Sequence, residues 1–187
     1  MYTIVAPVPA NLAKVLEPHR QKYDPAARLT PPHILILEPF QFAAAPEQLY
    51  AHLSEICETH APIKVFLVGW HVQEGKDYQL HLPMTAGQVE LTSLRNDLLT
   101  GPLSALASSE KTYQPQVLFG RLTDQANLEL AKQDLKGFEP LFNFRVSRLE
   151  LWRRDEVGQP WQVEMKFALK ATLTGRHKRE EIHEALE

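Results

Sequence analysis

Pro31-Pro32-His33-Ile34-Leu35-Ile36-Leu37-Glu38-Pro39-Phe40 is the stretch on which the fold turns, because Tyr113-Gln114-Pro115-Gln116-Val117-Leu118-Phe119-Gly120-Arg121 repeats its pattern 83 residues later, counting from His33 to Gln116. In each string a proline forces the residue before it into extended backbone, and a short apolar run rich in branched residues follows, which predicts a buried strand. Residues i and i+2 of a strand share a face, ~6.6 Å apart. His33 and Leu35 therefore share one face and Gln116 and Leu118 another. Ile34, Ile36, Val117 and Phe119 point the opposite way, into helices or core.

Outward from these strings, Tyr2 to Val8 predicts a first strand. A helix to about Tyr23 follows, with Leu12, Val15, Leu16 and His19 on one face and Pro18 as a kink or restart. Pro46 suits a first helical turn, and Leu49, Leu53, Ile56 and Cys57 follow at helical spacing, which makes Cys57 a small core hydrophobe. Ile63 to Val72 and Tyr78 to Pro83 predict a hairpin around a polar turn at Glu74 to Asp77. A second half opens with a helix through Leu91, Leu94, Leu98 and Leu99, stopped by Gly101 and Pro102. A strand from Gln116 to Leu122 and a helix from Gln125 to Lys136, with Leu128, Ala131 and Leu135 inward, complete the echo. Trp161, Val163, Met165, Phe167 and Leu169 alternate as a one-sided strand. Its expected partner carries Phe142, Phe144 and Val146 out of phase with Leu149 and Leu151, which a bulge near Ser147 and Arg148 would repair. Residues 174–187 are densely charged and predict a solvated terminal helix or frayed tail.

Composition removes several function classes. The chain has 187 residues, 44% hydrophobic and 23% charged, which fits one domain and excludes a disordered chain or coiled coil. A single Cys forbids an intramolecular disulfide and a Cys-based zinc cluster, and fits a reducing compartment. The eight glycines are never closer than six residues apart, so neither a G-x-G-x-x-G loop nor a Walker phosphate loop is present. A net charge of -3 argues against binding long nucleic acid. Apolar runs fall far short of the ~20 residues of a membrane span, and the N-terminus lacks the basic region of a signal peptide. These features predict a soluble, cytoplasmic protein, expected to be monomeric and to need no membrane, metal or cofactor. His52 and His60 stand eight apart and no H-E-x-x-H occurs, so the histidines do not read as metal ligands.

The two strings resemble those of the 2H phosphoesterase superfamily, the group of 2',5' RNA ligase-like proteins and cyclic nucleotide phosphodiesterases. Its members carry two His-x-Thr/Ser motifs inside strings such as P-P-H-I-T-L-x-x-P-F and Y-x-P-H-V-T-L-G-R. The likeness runs from the first strand through Gly101-Pro102-Leu103 to the closing strand pair, about residues 1–173. It implies an α+β fold: two lobes related by a pseudo-twofold axis, each an antiparallel sheet with outer helices, around a central cleft. It also implies one histidine as general base and one as general acid at a 2',3'-cyclic phosphate or 2',5' linkage, with the motif hydroxyls holding phosphate oxygens.

Carried over residue by residue, only His33 matches. Leu35 and Leu118 stand in the two hydroxyl positions and Gln116 in that of the second histidine. Imidazole gives and takes a proton near neutral pH, whereas an amide only accepts and donates hydrogen bonds. One acid-base group is worth ~10²- to 10⁴-fold in rate. Branched apolar groups in place of hydroxyls leave phosphate oxygens desolvated without partners, at a cost of a few kcal/mol. The expectation is a catalytically degenerate member that binds a nucleotide-like, RNA-end or other small ligand, or a partner, in the former cleft. The alternative is a working phosphoesterase in which His33 shares proton transfer with a group outside the motifs. His81, on the first-lobe hairpin, is the histidine to watch. Arg121 either faces an anion or ends a strand in solvent, and His33 and Gln116 also admit purely structural roles.

Overall fold

The computed structural model describes residues 1–108 and 113–170, so the charged tail read at 174–187 lies outside the described residues. In chain order come β1 (Tyr2–Pro7), α1 (Ala10–Tyr23), β2 (His33–Phe40), α2 (Pro46–Thr59), β3 (Ile63–Val68), β4 (His71–Glu74) and β5 (Tyr78–Ala86). There follow α3 (Gln88–Leu98), a 3-10 helix (Gly101–Ser108), β6 (Gln116–Leu122), α4 (Gln125–Asp134), β7 (Leu141–Val146), β8 (Arg148–Arg153) and β9 (Gln162–Ala168). The sheet runs β7-β3-β5-β6-β2-β1-β8-β9, with β4 beside β5, and the paired strands are antiparallel. Along this path four strands lie on each side of the β6–β2 junction and β4 makes a fifth on the β6 side. This is the α+β, two-lobed arrangement expected, except that the hairpin carrying His81 belongs to the lobe of the second motif rather than the first. Only Ser147 separates β7 from β8, yet they sit toward opposite ends of this path. The sheet must therefore curl into a half-barrel that brings its two ends together.

That crossing corrects one expectation. The stretch 141–153 is not one bulged strand paired with the last one, because β7 pairs with β3 while β8 pairs with β1 and β9. The phase break at Ser147 marks a change of lobe, and each half has its own inward face. A second correction concerns β9. Phe167 and Leu169 are buried, but Val163 and Met165 are 48% and 37% exposed. Alternation records which side a residue takes, and at the start of an edge strand that side has no layer over it. The expected 63–72 strand also breaks at Gly69 and Trp70 into β3 and β4, both lying alongside β5.

The helices close the outer layer as their spacing requires. In α1 the buried stripe is Leu12, Leu16, Arg20 and Tyr23, so Val15 turns out into solvent, contrary to the sequence reading. The stripe runs one step round the helix because Arg20 is taken inside. Its Nη2 donates to Asp24 Oδ2 at 2.9 Å and to Thr30 Oγ1 at 3.3 Å, while Asp24 Oδ1 accepts from the Ala26 amide. This buried pair fixes the connection that delivers the chain to Pro31 and His33. Pro18 lies within α1 without ending it. Cys57 is buried beside Leu49 and Leu53, and desolvation pushes its thiol up to about 12, so it remains a protonated core filler.

Gly87 makes the tightest approach between β5 and α3. It adopts φ +98, a left-handed conformation, and a Cβ there would lie 2.6 Å from the backbone oxygen of Lys64. Gly87→Ala is expected to lower unfolding stability by about 2–4 kcal/mol, combining backbone strain with overpacking. Urea denaturation with an unchanged m-value checks it. A loss below about 0.5 kcal/mol would show that β3 moves aside without cost.

Candidate active site

The two echoing strands meet in a single ladder pair, Ile34 opposite Val117. At the repeat offset of 83 residues, each of these residues faces its own counterpart, as residues on a local twofold axis must. The antiparallel register then sets His33 opposite Leu118 and Leu35 opposite Gln116. All four motif positions share one face of the sheet. Burial agrees: Ile34, Ile36, Val117 and Phe119 are inside, and the four motif positions are partly exposed.

His33 is held in a defined orientation. Its Nδ1 lies 2.8 Å from the Pro31 carbonyl oxygen, which can only accept, so Nδ1 carries the proton and Nε2 the lone pair of the neutral ring. The ring packs edge-on against Trp152, with centroids 4.9 Å apart. Burial lowers the pKa, the Pro31 hydrogen bond opposes this, Arg20 adds to the lowering and Asp24 works against it. His33 thus keeps the tautomer of a proton acceptor.

Gln116 is engaged sideways rather than across to His33. Its amide donates to Gln73 Oε1 at 3.1 Å, and the same nitrogen lies 3.3 Å from His81 Nε2. His81 Nε2 is also 3.1 Å from Gln79 Oε1. One ring nitrogen cannot serve both, so the neutral ring either donates to Gln79 or accepts from Gln116. In either case Nδ1 has no partner among the described residues. His81 is 4% exposed and stacks on His71 at 5.7 Å. Desolvation, then the charges of His71 and Arg121, lower its pKa to about 4. It is therefore close to the second motif position and unprotonated near neutral pH.

A family model described as the 2'-5' RNA ligase superfamily matches residues 8–158. The chain belongs to this superfamily, within the 2H phosphoesterases. Solved structures share its fold at low identity. The Thermus thermophilus protein TT0787 is 17% identical with a TM-score of 0.57, covering 91% of this chain and 98% of that one. Escherichia coli LigT complexed with 3'-AMP is 14% identical with a TM-score of 0.60 and the same two coverages. LigT in its apo form is 16% identical with a TM-score of 0.58, covering 91% of this chain and 97% of that one. No curated protein matches the chain.

Within this 2H phosphoesterase fold, Leu35 and Leu118 present partly exposed apolar side chains on the motif face. Arg121 is exposed and sits opposite Gln79 in the ladder. Tyr113 ties the two strings together, its hydroxyl donating to the Leu35 carbonyl at 2.9 Å, and burial raises its pKa. A cavity of about 750 Å³ adjoins Gln116 and His71 but not His33, Leu35 or Leu118. Among the described residues no three His, Cys, Asp or Glu side chains converge as a metal site. The sequence reading did not single out Trp152 against His33 or Gln73 against Gln116. Both come from strands whose pairing depends on the β7–β8 crossing and the β4–β5 hairpin, and no local pattern marks them.

The lowered His81 pKa has a signed consequence. Its unfolded value near 6.5 exceeds its folded value of about 4, so between these the unfolded chain binds more protons and stability falls as pH falls. The contribution is complete above about pH 6.5 and amounts to roughly 3 kcal/mol, lost by about pH 4. In NMR the His81 ring is expected to stay neutral down to about pH 4, and His81→Gln to flatten the acid side of the stability profile. A His81 midpoint near 6.5 would contradict this burial.

Proposed function

We propose that this chain is a catalytically degenerate 2H phosphoesterase, a single bilobal domain over residues 1–173 acting as a cytoplasmic monomer. It binds a small nucleotide-like ligand in the former active cleft without cleaving it. The observation that carries the reading is the composition of the one face shared by the motif positions. His33 offers a lone pair, but its symmetry-related counterpart is an amide engaged by Gln73, and both hydroxyl positions are leucine. In-line chemistry at a cyclic phosphate needs one group to take a proton and another to give one, plus donors for the developing charge on the phosphoryl oxygens. Only the first is supplied here. LigT has been solved with 3'-AMP, phosphate, ATP and NADP+, which supports a small nucleotide-like ligand for a protein of this fold.

A second reading, an active phosphoesterase using His33 and His81, draws support from the 3.3 Å approach of His81 to the amide of Gln116. Its difficulty is protonation. A ring with a pKa of about 4 carries under about 1% of its acid form at neutral pH and is a weak general acid there.

With 2',3'-cyclic nucleotides and 2',5'-linked dinucleotides, wild-type protein is expected to show no turnover above His33→Ala. Restoring Leu35→Thr, Gln116→His and Leu118→Thr together is expected to raise hydrolysis by ~100-fold or more. Wild-type turnover that vanishes in both His33→Ala and His81→Ala would overturn the first reading in favour of the second.

A further inference from the structure

The 750 Å³ cavity beside Gln116 is large enough for a nucleoside-sized molecule. One wall is α3. Leu91, Leu94 and Leu98 of this helix turn into the core, and the next stripe round it, Val89, Thr92, Ser93 and Asn96, lines the cavity at i, i+3, i+4 and i+7. The rest comes from Pro83 and Met84 of β5, His71, and the segment from Tyr113 to Gln116.

Some lining groups are already committed. Thr92 donates to the Gln88 carbonyl at 2.7 Å, the Gln88 amide donates to the Met84 carbonyl at 2.6 Å, and Asp97 Oδ2 is 2.8 Å from His60 Nε2. The Ser93 hydroxyl and the Asn96 and Gln114 amides have no partner among the described residues, which leaves donors and acceptors together on the wall. Its charge is as informative. The described residues lining it include the carboxylate of Asp97 and no Lys or Arg, and Arg95 lies outside the wall, over the Tyr113 ring at 5.0 Å from its centroid. Such a wall disfavours a phosphate. Met84, Pro115 and Val89 add flat or adaptable apolar surface suited to a ring face.

We propose that this cavity binds an uncharged nucleoside, with Ser93, Asn96 and Gln114 hydrogen-bonding the base edge and no phosphate required. The inference rests on the reading that the motif face no longer processes a phosphate, and it names the ligand class that replaces one. An amide and a hydroxyl can serve a heterocycle's donors and acceptors alike, and the unpaired polar groups they would otherwise leave make an aliphatic occupant the poorer fit.

The test titrates the full chain with adenosine, guanosine, cytidine and uridine, each beside its 3'-monophosphate, by calorimetry and by NMR of the backbone and side-chain amides. At least one nucleoside is expected to bind saturably, to shift the Asn96 and Gln114 signals, and to gain no more than about threefold from its 3'-phosphate. Asn96→Leu, at an exposed position, and Ser93→Leu are expected to weaken it about tenfold or more with unchanged thermal unfolding. Absence of binding by all four nucleosides at millimolar concentration overturns the proposal. So does binding that requires the phosphate and disappears in His33→Ala while Asn96→Leu and Ser93→Leu are neutral. That second result would leave a degenerate nucleotide-binding cleft standing and remove only this site.

Discussion

The pairing of Ile34 with Val117 is the constraint on which the rest of the structure depends. Among the described residues it is the one ladder pair joining β2 to β6, and so the point where the two halves of the sheet become continuous. It also places equivalent residues opposite each other, which converts a sequence repeat into a local twofold axis. Once that pair is fixed, strand geometry alone sends Ile34, Ile36, Val117 and Phe119 into the core and the four motif positions to the other face. The packed side of the junction is what holds it. Phe119 meets Phe138 and Trp70 at ring separations of 6.0 and 6.4 Å, and Gly120 admits Leu80 so closely that a Cβ there would lie 2.7 Å from its Cδ1.

The motif face and the core behind it have diverged in how strongly they are determined. The core side is apolar and close-packed, so its residues are constrained by volume. The motif side is constrained only by chemistry, and substituting leucine for a hydroxyl costs the fold little while removing a phosphate donor. Glutamine for histidine behaves likewise: it keeps a polar group with hydrogen-bond partners in Gln73 and His81 and removes the proton carrier. On the proposed reading, the fold persists with its chemistry gone. The neighbouring polar groups follow the same logic, since His81 remains neutral through burial rather than becoming a cationic partner for a phosphate.

Much of this is legible in the sequence. The bounds of β2 and β6, the core role of Cys57, the stripe of α3 and the family all follow from local pattern or from the quoted strings. What local pattern does not supply is anything that depends on the sheet closing on itself. The period change at Ser147 is visible, but a bulge and a crossing between lobes produce the same signal in one chain, and only pairing partners distinguish them. Alternation points Val163 and Met165 inward, yet it carries no information about whether a layer covers that side. Val15 is displaced by Arg20, a charge that enters the core only because Asp24 and Thr30 meet it there. At the site, His33 and Gln116 are nameable from the strings. Trp152, Gln73 and the cavity wall of α3 belong to contacts between elements far apart in the chain, and they come together only through the curl of the sheet.

The central claim is that the motif face has lost its hold on a phosphate while keeping its geometry. The most direct measurement is a titration of the full chain with inorganic phosphate, followed by calorimetry and by the ring nitrogens of His33 and the side-chain amide of Gln116 in NMR. The account predicts no saturable binding tighter than about 1 mM, roughly 4 kcal/mol, and no change in the His33 tautomer. Saturable submillimolar binding that shifts both His33 Nε2 and the Gln116 amide would contradict it.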